Sequence, residues 1–233
     1  MGLSKGGMPM IALLAVPMMS LYMDPAIAAG LLLPIYIVAD CYAVFLFRRT
    51  FSTLNLKILI PAAMVGILVG YFTVSFVDAN AVKLLVAGIG LSYLFNSLRR
   101  HFAMGEVTPK LANLPSGIFW GTIAGLASYI CHAGGPPFQA YVLPQRLEKM
   151  AFLGTTTIFF ATVNLMKVPP FIIAEQVTWQ SLHQAIWLAP MALLGAWSGA
   201  KISRILSEKA FFALIETALA LVCLMLIHEV AFP

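Results

Sequence analysis

Long apolar segments separated by short polar loops dominate the chain. Six runs close to full span length contain almost no charged side chains: residues 25–47, 58–77, 81–98, 150–168, 182–200 and 210–230. A helix of about 20 apolar residues crosses a hydrocarbon core about 30 Å thick. The pattern therefore predicts an all-α integral membrane protein.

Two further apolar segments, residues 8–22 and 114–143, are shorter or interrupted. The second contains HAGGPP at residues 132–137. Glycine frees the backbone from helical φ/ψ, and proline removes a donor and disfavours helix at the preceding residue. Proline also favours the start of a new helix. This motif predicts helix, break, helix, and KGGMP at residues 5–9 is a weaker copy of it.

Composition and charge support a membrane protein. Of the 233 residues, 61% are hydrophobic and only 10% are charged, and the mean hydropathy is +0.93. We interpret the net charge of +5 as basic cytoplasmic loops and expect no nucleic-acid partner. The cysteines, Cys41, Cys131 and Cys223, lie in apolar segments without metal-ligand spacing and read as small buried hydrophobes.

The loop charges predict an orientation. Basic residues collect in four loops: Arg48, Arg49 and Lys57; Arg99, Arg100 and Lys110; Arg146 and Lys149; and Lys201, Arg204 and Lys209. The intervening loops carry Asp24, Asp78 and Glu175. By the positive-inside rule, the basic loops are cytoplasmic and the acidic loops external.

Internal similarity predicts two inverted repeats. The breaks align with each other, Gly30 aligns with Gly154, and Asp40 aligns with Asn164. Pro61, Gly66 and Gly70 match Pro190, Gly195 and Gly199 at identical spacing. The run from residue 25 goes outside to inside, whereas its partner from residue 150 goes inside to outside. We predict one transmembrane domain: repeat one at 1–98, a cytoplasmic linker at 99–113 and repeat two at 114–233.

Inverted repeats require each break to lie in a helical hairpin that enters and leaves by one face. In the second half, residues 114–131 and 137–143 supply both arms. In the first half only five residues precede Gly6, so the first arm is missing. We expect an N-terminus that starts late relative to its relatives, in preference to an arm that is dispensable.

The two breaks predict an anion site near mid-membrane, between the two broken-helix N-termini. Helix starts present free N–H groups and a positive dipole end, which favour anions. Corresponding breaks in two repeats mark transporter binding sites. The predicted substrate-binding residues are Lys5, Gly6, Gly7, His132, Gly134, Gly135, Pro136 and Thr155.

Three polar residues inside spans form a predicted second tier, that is, a set that does not bind the substrate directly but tunes the charge of the site or couples transport to ions: Asp40, Asn164 and Lys167. Other interpretations stay open for several of these side chains. Asp40 is alternatively paired with Arg48, and Lys167 alternatively snorkels to the external surface. For His132 the alternative is a purely structural role. The Thr155 hydroxyl has the alternative of bonding back to its own helix.

No catalytic or cofactor motif is present in the sequence: HExxH, GxSxG, a phosphate loop and clustered Cys/His ligands are all lacking. We therefore expect no enzyme activity, no metal and no cofactor.

The chain resembles the sulfite exporter TauE/SafE family of bacterial membrane permeases. The second half carries the resemblance through HAGGPP at 132–137, LEKMAFLGT at 147–155, FF at 159–160 and NLMK at 164–167; the first half carries it through KGGMP. The resemblance implies a secondary carrier for sulfite, sulfoacetate or another organosulfonate in the bacterial inner membrane. Two departures are the missing first helix and the Ser4-Lys5 pair, where many relatives are richer in glycine.

Two other functions stay open at this point: an anion channel with the breaks lining its pore, and a membrane assembly partner that transports nothing. The coupling ion, proton or sodium, and homo-oligomerisation in the lipid bilayer also stay open.

Overall fold

The structure is a computed structural model that describes residues 2–7, 19, 22, 25–102 and 109–231. In this part of the chain, all regular structure is helical, which confirms the all-α prediction. The helices are α1 (Gly2–Lys5), α2 (Pro25–Phe47), α3 (Thr53–Thr73), α4 (Ala79–Phe102), α5 (Leu114–Cys131), α6 (Gly135–Val142), α7 (Lys149–Ile173), α8 (Trp179–Ile205) and α9 (Glu208–Ala231). A 3-10 turn, Leu143–Gln145, follows α6.

Six of the described helices are long and apolar enough to cross a membrane: α2, α3, α5, α7, α8 and α9. Five of them coincide with predicted spans. The predicted span at 81–98 lies within α4, of which Asn80–Phe95 is a shorter apolar stretch among the residues described in full.

The predicted segment 8–22 lies outside the described residues, apart from Met19 and Tyr22. Met8 and Pro9 of the first break lie outside them as well.

The helices form two compact units, which are described separately. Unit 1 comprises Met1–Leu56 and Lys149–Ile215. In it, α2 packs against α7 and α8, and α1 packs against α8. Apolar side chains of α2, including Leu31 and Ile35, meet Ala185 and Ala192 of α8 in the core.

Small residues bring α1 into close contact with α8. A Cβ atom on Gly6 would collide with the carbonyl oxygen of Ala196, and one on Gly2 would collide with that of Ala192. Small residues of this kind allow helix backbones to approach each other in membranes. The close approach fixes the end of α1, and therefore Lys5, relative to unit 1.

Unit 2 comprises Lys57–Glu148 and Glu216–Pro233, so it contains α3 to α6 and most of α9. Glycines again mediate helix contacts: Gly66 of α3 lies against the Thr122 carbonyl oxygen of α5, and Gly90 of α4 lies against Cys223 of α9. The start of α4 and the end of α9 are joined by an ion pair, with Lys83 Nζ 2.7 Å from Glu229 Oε1.

Many large apolar side chains of the long helices are exposed, as on a surface in contact with lipid. Examples are Met64 of α3, Ile186 and Trp187 of α8, and Leu221 of α9. Contiguous exposed apolar surface of this extent is uncommon on soluble proteins. Together with the six candidate spans, it identifies a multi-pass membrane protein.

Candidate functional site

A buried polar cluster lies within unit 1, and we call Lys5, Tyr36, Asp40 and Asn164 the Asp40 cluster. Lys5 Nζ is 2.7 Å from Asp40 Oδ1, and Asn164 Nδ2 donates a hydrogen bond to Asp40 Oδ2 over 2.7 Å. Lys5 Nζ also lies 4.8 Å from the ring centroid of Tyr36. The carboxylate therefore has one partner from α1 and another from α7.

The cluster is largely shielded from solvent. The exposed fractions of the Lys5 and Asp40 side chains are 11% and 5%. In an apolar span, a charged carboxylate needs a partner of opposite charge or a hydrogen-bond donor. Lys5 and Asn164 supply both, so the alternative pairing of Asp40 with Arg48 is wrong. The contact with the Tyr36 ring adds a cation–π interaction for the same ammonium group.

The first break positions Lys5. Helix α1 ends at Lys5, and Gly6 and Gly7 form a turn. Gly7 has a φ of 126°, a conformation that side-chain-bearing residues rarely adopt. The Gly6 carbonyl oxygen accepts a hydrogen bond from Ser203 Oγ over 3.3 Å. The glycines therefore serve a close helix contact and a turn, and they leave the ammonium of Lys5 as the chemically active group.

Lys167 is buried within unit 1, with 1% of its surface exposed. Its Nζ atom lies 5.9 Å from the ring centroid of Phe171. A lysine that snorkels would reach the exposed surface, so the snorkelling alternative for Lys167 is wrong. Its role as a second-tier charge stays a prediction.

Thr155 is fully buried in unit 1, and its hydroxyl has two partners in the protein. Thr155 Oγ1 donates to the Ala151 carbonyl oxygen over 2.6 Å and accepts from Ser52 N–H over 2.8 Å. The hydroxyl therefore ties α7 to the loop after α2. The predicted contact between Thr155 and an anion stays a prediction, and it would require one of these bonds to open.

The second break lies in unit 2, and its bend is at the histidine. Helix α5 ends at Cys131, and His132 adopts the left-handed conformation with φ 53° and ψ 20°. Gly134 has a right-handed helical conformation, with φ −69° and ψ −11°, and Gly135 begins α6. The expectation that these two glycines supply the non-helical backbone is wrong, because His132 does so.

The start of α6 offers fewer donors than a typical helix start. Pro136 and Pro137 occupy its second and third positions and have no N–H group. The N–H of Phe138 donates to the Gly134 carbonyl oxygen over 3.2 Å. Few of the four N–H groups expected of a helix N-terminus are therefore available, which weakens the case for an anion at this break.

The arms of the second break end side by side. The Lys110 N–H, just before α5, donates to the Pro144 carbonyl oxygen over 3.0 Å. The Tyr141 hydroxyl donates to the Asn113 carbonyl oxygen over 3.1 Å. Within unit 2, α5 and α6 therefore form a hairpin that starts and finishes at the same level.

Two polar residues of interest were not singled out from the sequence. Tyr36 lies one turn before Asp40 in α2, and Gln139 lies one turn after Gly135 in α6. Gln139 Oε1 is buried and has no hydrogen-bond partner among the described residues. Both residues could be found from the sequence, because each is a polar residue one helical turn from a mid-span acid or from a glycine pair.

The predicted site residues thus fall into separate groups. Lys5, Asp40 and Asn164 meet in unit 1, next to Gly6 and Gly7. Thr155 and Lys167 are also in unit 1, without a contact to that cluster among the interactions described above. The residues of the second break, His132, Gly134, Gly135 and Pro136, are in unit 2. In the described part of the chain, no group of three or more His, Cys, Asp or Glu residues has the arrangement of a metal site.

Comparison with known proteins identifies the family. No curated protein matches the chain, and no solved structure matches it. A family model described as sulfite exporter TauE/SafE matches residues 6–226, which covers both breaks, the Asp40 cluster apart from Lys5, and all six candidate spans up to residue 226. The chain therefore belongs to the sulfite exporter TauE/SafE family of membrane transporters.

Proposed function

We propose that the protein is a secondary carrier that moves a small sulfur-containing anion, sulfite or an organosulfonate, across the bacterial inner membrane. Family membership supports a permease for such anions. The observation that carries the proposal is the buried ion pair between Lys5 at the first break and Asp40 inside α2. A membrane-embedded cation at a helix break is a suitable counter-ion for a transported anion.

In the proposed mechanism, the Asp40 carboxylate is the resting counter-ion of Lys5. Sulfite and sulfonates present oxygen atoms that accept the same charge-assisted hydrogen bonds as a carboxylate. An incoming anion therefore competes with Asp40 for the Lys5 ammonium. Asn164, which already donates to Asp40, holds the carboxyl group during this exchange.

The exchange also gives a coupling ion a role. When the anion takes Lys5, Asp40 loses its cation in an apolar environment, and a buried carboxylate needs another positive partner. We propose that a coupling ion, a proton or sodium, meets this need when the anion binds. The residues of the second break and Lys167 remain proposed contacts elsewhere on the substrate path.

We further propose that the halves of the chain are inverted repeats, and three contacts of unit 1 support this. Gly30, five residues after the start of α2, lies against the carbonyl oxygen of Gln176, three residues after α7 ends. Gly154, five residues after the start of α7, lies against the carbonyl oxygen of Thr50, three residues after α2 ends. Asp40 and Asn164 meet between these contacts. Reciprocal contacts of this kind are expected of an antiparallel pair related by a two-fold axis.

The glycines of the later spans give parallel support, each inside its own unit. In unit 2, Gly66 of α3 contacts the arm that precedes the second break. In unit 1 its predicted equivalent, Gly195 of α8, contacts Gly2 in α1, the short helix that precedes Gly6 and Gly7. Equivalent glycines therefore make equivalent contacts.

The test is sulfite flux in proteoliposomes, measured as uptake and as counterflow against internal sulfite. Wild-type protein is expected to show saturable counterflow, which a channel does not show. Lys5→Met with Asp40→Asn removes both charges of the pair, so the double variant is expected to fold and to lose flux. Lys5→Arg is expected to keep part of the flux because it keeps the charge.

The matched control is the lysine–glutamate pair of unit 2, Lys83 and Glu229. Lys83→Met with Glu229→Gln also removes an ion pair of 2.7 Å and is expected to leave flux near the wild-type level. Absence of sulfite and sulfonate flux in the wild type, under a proton or a sodium gradient, would overturn the carrier proposal. Wild-type flux in the Lys5/Asp40 double variant would overturn the assigned site.

A further inference from the structure

Unit 2 contains a cavity that the proposed transport mechanism does not use. Its volume is about 540 Å³, and it lies between α4, α5 and the segment from α6 into the 3-10 turn. This volume is within the range of about 300–1,000 Å³ that is typical of ligand sites. The cavity has an apolar part and a polar part, which point to an amphipathic occupant.

The apolar part is a groove on one face of α4. Leu84, Leu85, Gly88 and Ile89 line it, and the two leucines are 46% and 51% exposed. A Cβ atom on Gly88 would meet nothing within 4 Å, so the glycine leaves an open groove where other glycines of this unit serve helix packing. Three of the lining residues lie one helical turn apart along α4: Leu84, Gly88 and Ser92. The groove is therefore elongated and matches an extended hydrocarbon chain.

The polar part lies where α5 begins and combines a cation with hydrogen-bond donors. Lys110, Asn113 and Ser116 line it, and the lining contains no aspartate or glutamate. The acceptor groups of Asn113 are already engaged: its Oδ1 accepts from Ser116 N–H over 2.9 Å, and its carbonyl oxygen accepts from the Tyr141 hydroxyl. The Lys110 ammonium and the Ser116 hydroxyl therefore suit an anionic group.

We propose that this cavity binds an anionic phospholipid. The headgroup phosphate lies at Lys110 and the start of α5, and one acyl chain lies along the Gly88 groove of α4. Lys110 supplies the positive charge, and basic pockets between membrane helices bind anionic headgroups. The acyl chain packs against Leu84, Leu85 and Ile89, because association within a membrane is driven by van der Waals packing.

The bound lipid would support the return arm of the second break. Tyr141 and Pro144 of this arm line the cavity, and the Pro144 carbonyl oxygen accepts a hydrogen bond from Lys110 N–H. A headgroup at Lys110 therefore contacts the residue that closes the hairpin. This inference is independent of which anion is transported, because it concerns only residues of unit 2.

The test is native mass spectrometry of the full chain purified in mild detergent and titrated with phosphatidylglycerol or phosphatidylcholine. Wild-type protein is expected to bind phosphatidylglycerol about fivefold more tightly than phosphatidylcholine, given one basic residue at the headgroup. Lys110→Gln is expected to abolish this preference without unfolding the protein, since Lys110 is exposed. Gly88→Phe fills the groove and is expected to weaken binding of both lipids about tenfold.

The matched control is Leu221→Phe, a substitution at another exposed apolar position of unit 2 that lies outside the cavity. It is expected to bind both lipids like the wild type. Equal affinity of the wild type for the two lipids, or wild-type binding by Gly88→Phe, would overturn the proposal. A dimer that Gly88→Phe dissociates would overturn it too, because the cavity would then hold a second copy of the chain.

Discussion

Asn164 Nδ2 donates a hydrogen bond to Asp40 Oδ2 over 2.7 Å, and each residue lies fifteen residues after the first residue of its helix. The two side chains that align in the predicted repeats are therefore in direct contact within unit 1. Only one of them is an acid, and Lys5 balances its charge. We therefore expect the stability of the protein to fall when a substitution removes one charge of the cluster and leaves the other buried without a partner.

Asp40→Asn is expected to destabilise the protein strongly, because it leaves the Lys5 ammonium buried without its counter-ion. Removal of one partner of a buried pair typically costs about 3–5 kcal/mol. The additional change Lys5→Met is expected to restore most of the loss, since both charges are then gone. Apparent melting temperatures in detergent measure both effects. If the double variant unfolds as early as the single one, the stability of unit 1 does not depend on the balance of this pair.

Gly154→Leu is expected to destabilise unit 1, because a side chain at this position would meet the carbonyl oxygen of Thr50. Overpacking of a tight contact typically costs about 1–3 kcal/mol. Gly88→Leu is the control, since a Cβ atom there meets nothing within 4 Å, and it is expected to melt like the wild type. Equal melting temperatures for the two variants would contradict the close contact between the start of α7 and the loop after α2.

Thr155→Val is expected to reduce stability by about 1–3 kcal/mol, because the Ser52 N–H loses its acceptor in a buried location. Thr156→Val is the control: the Thr156 hydroxyl donates only within its own helix, to the Phe152 carbonyl oxygen over 2.8 Å. Melting temperature and the KM for sulfite are measured for each variant. A raised KM in Thr155→Val at unchanged stability would favour a substrate contact over the tie between α7 and the loop.

His132→Gly is expected to fold like the wild type, since glycine adopts a φ of 53° without strain. His132→Val is expected to be less stable by about 1–2 kcal/mol, because a left-handed conformation is costly for a side-chain-bearing residue. Thermal unfolding of the two variants measures the difference. A valine variant as stable as the glycine variant would contradict the left-handed bend at this position.

The two His132 variants also distinguish the role of the backbone conformation from the role of the imidazole side chain in sulfite transport. His132→Gly removes the imidazole and leaves the bend, so a loss of sulfite flux in this variant would identify a role for the imidazole itself.

The helices were predictable from local pattern. Runs such as residues 25–47 and 210–230 are apolar throughout, and a backbone surrounded by lipid satisfies its hydrogen bonds as a helix. The charged residues of the candidate site were also visible, because Asp40 stands out inside an apolar span and Lys5 lies beside the first glycine pair.

Partners and backbone conformations were not predictable in the same way. Asp40 had Arg48 available just beyond the end of its own helix, yet its partner is Lys5 from a separate helix. In the second break, the two glycines were expected to supply the non-helical backbone, whereas the left-handed residue is His132.

The sequence by itself determined that the chain is an all-helical membrane protein with two glycine breaks and charges in spans, because apolar length and loop charge act locally. Only the tertiary structure decided which charges meet. Contacts between helices distant in sequence, such as α1 on α8 and α2 on α7, depend on small residues that allow close approach and on the pairing that a buried charge requires. Because Lys5 pairs with Asp40, the candidate site is centred on these two residues and no longer on the second break.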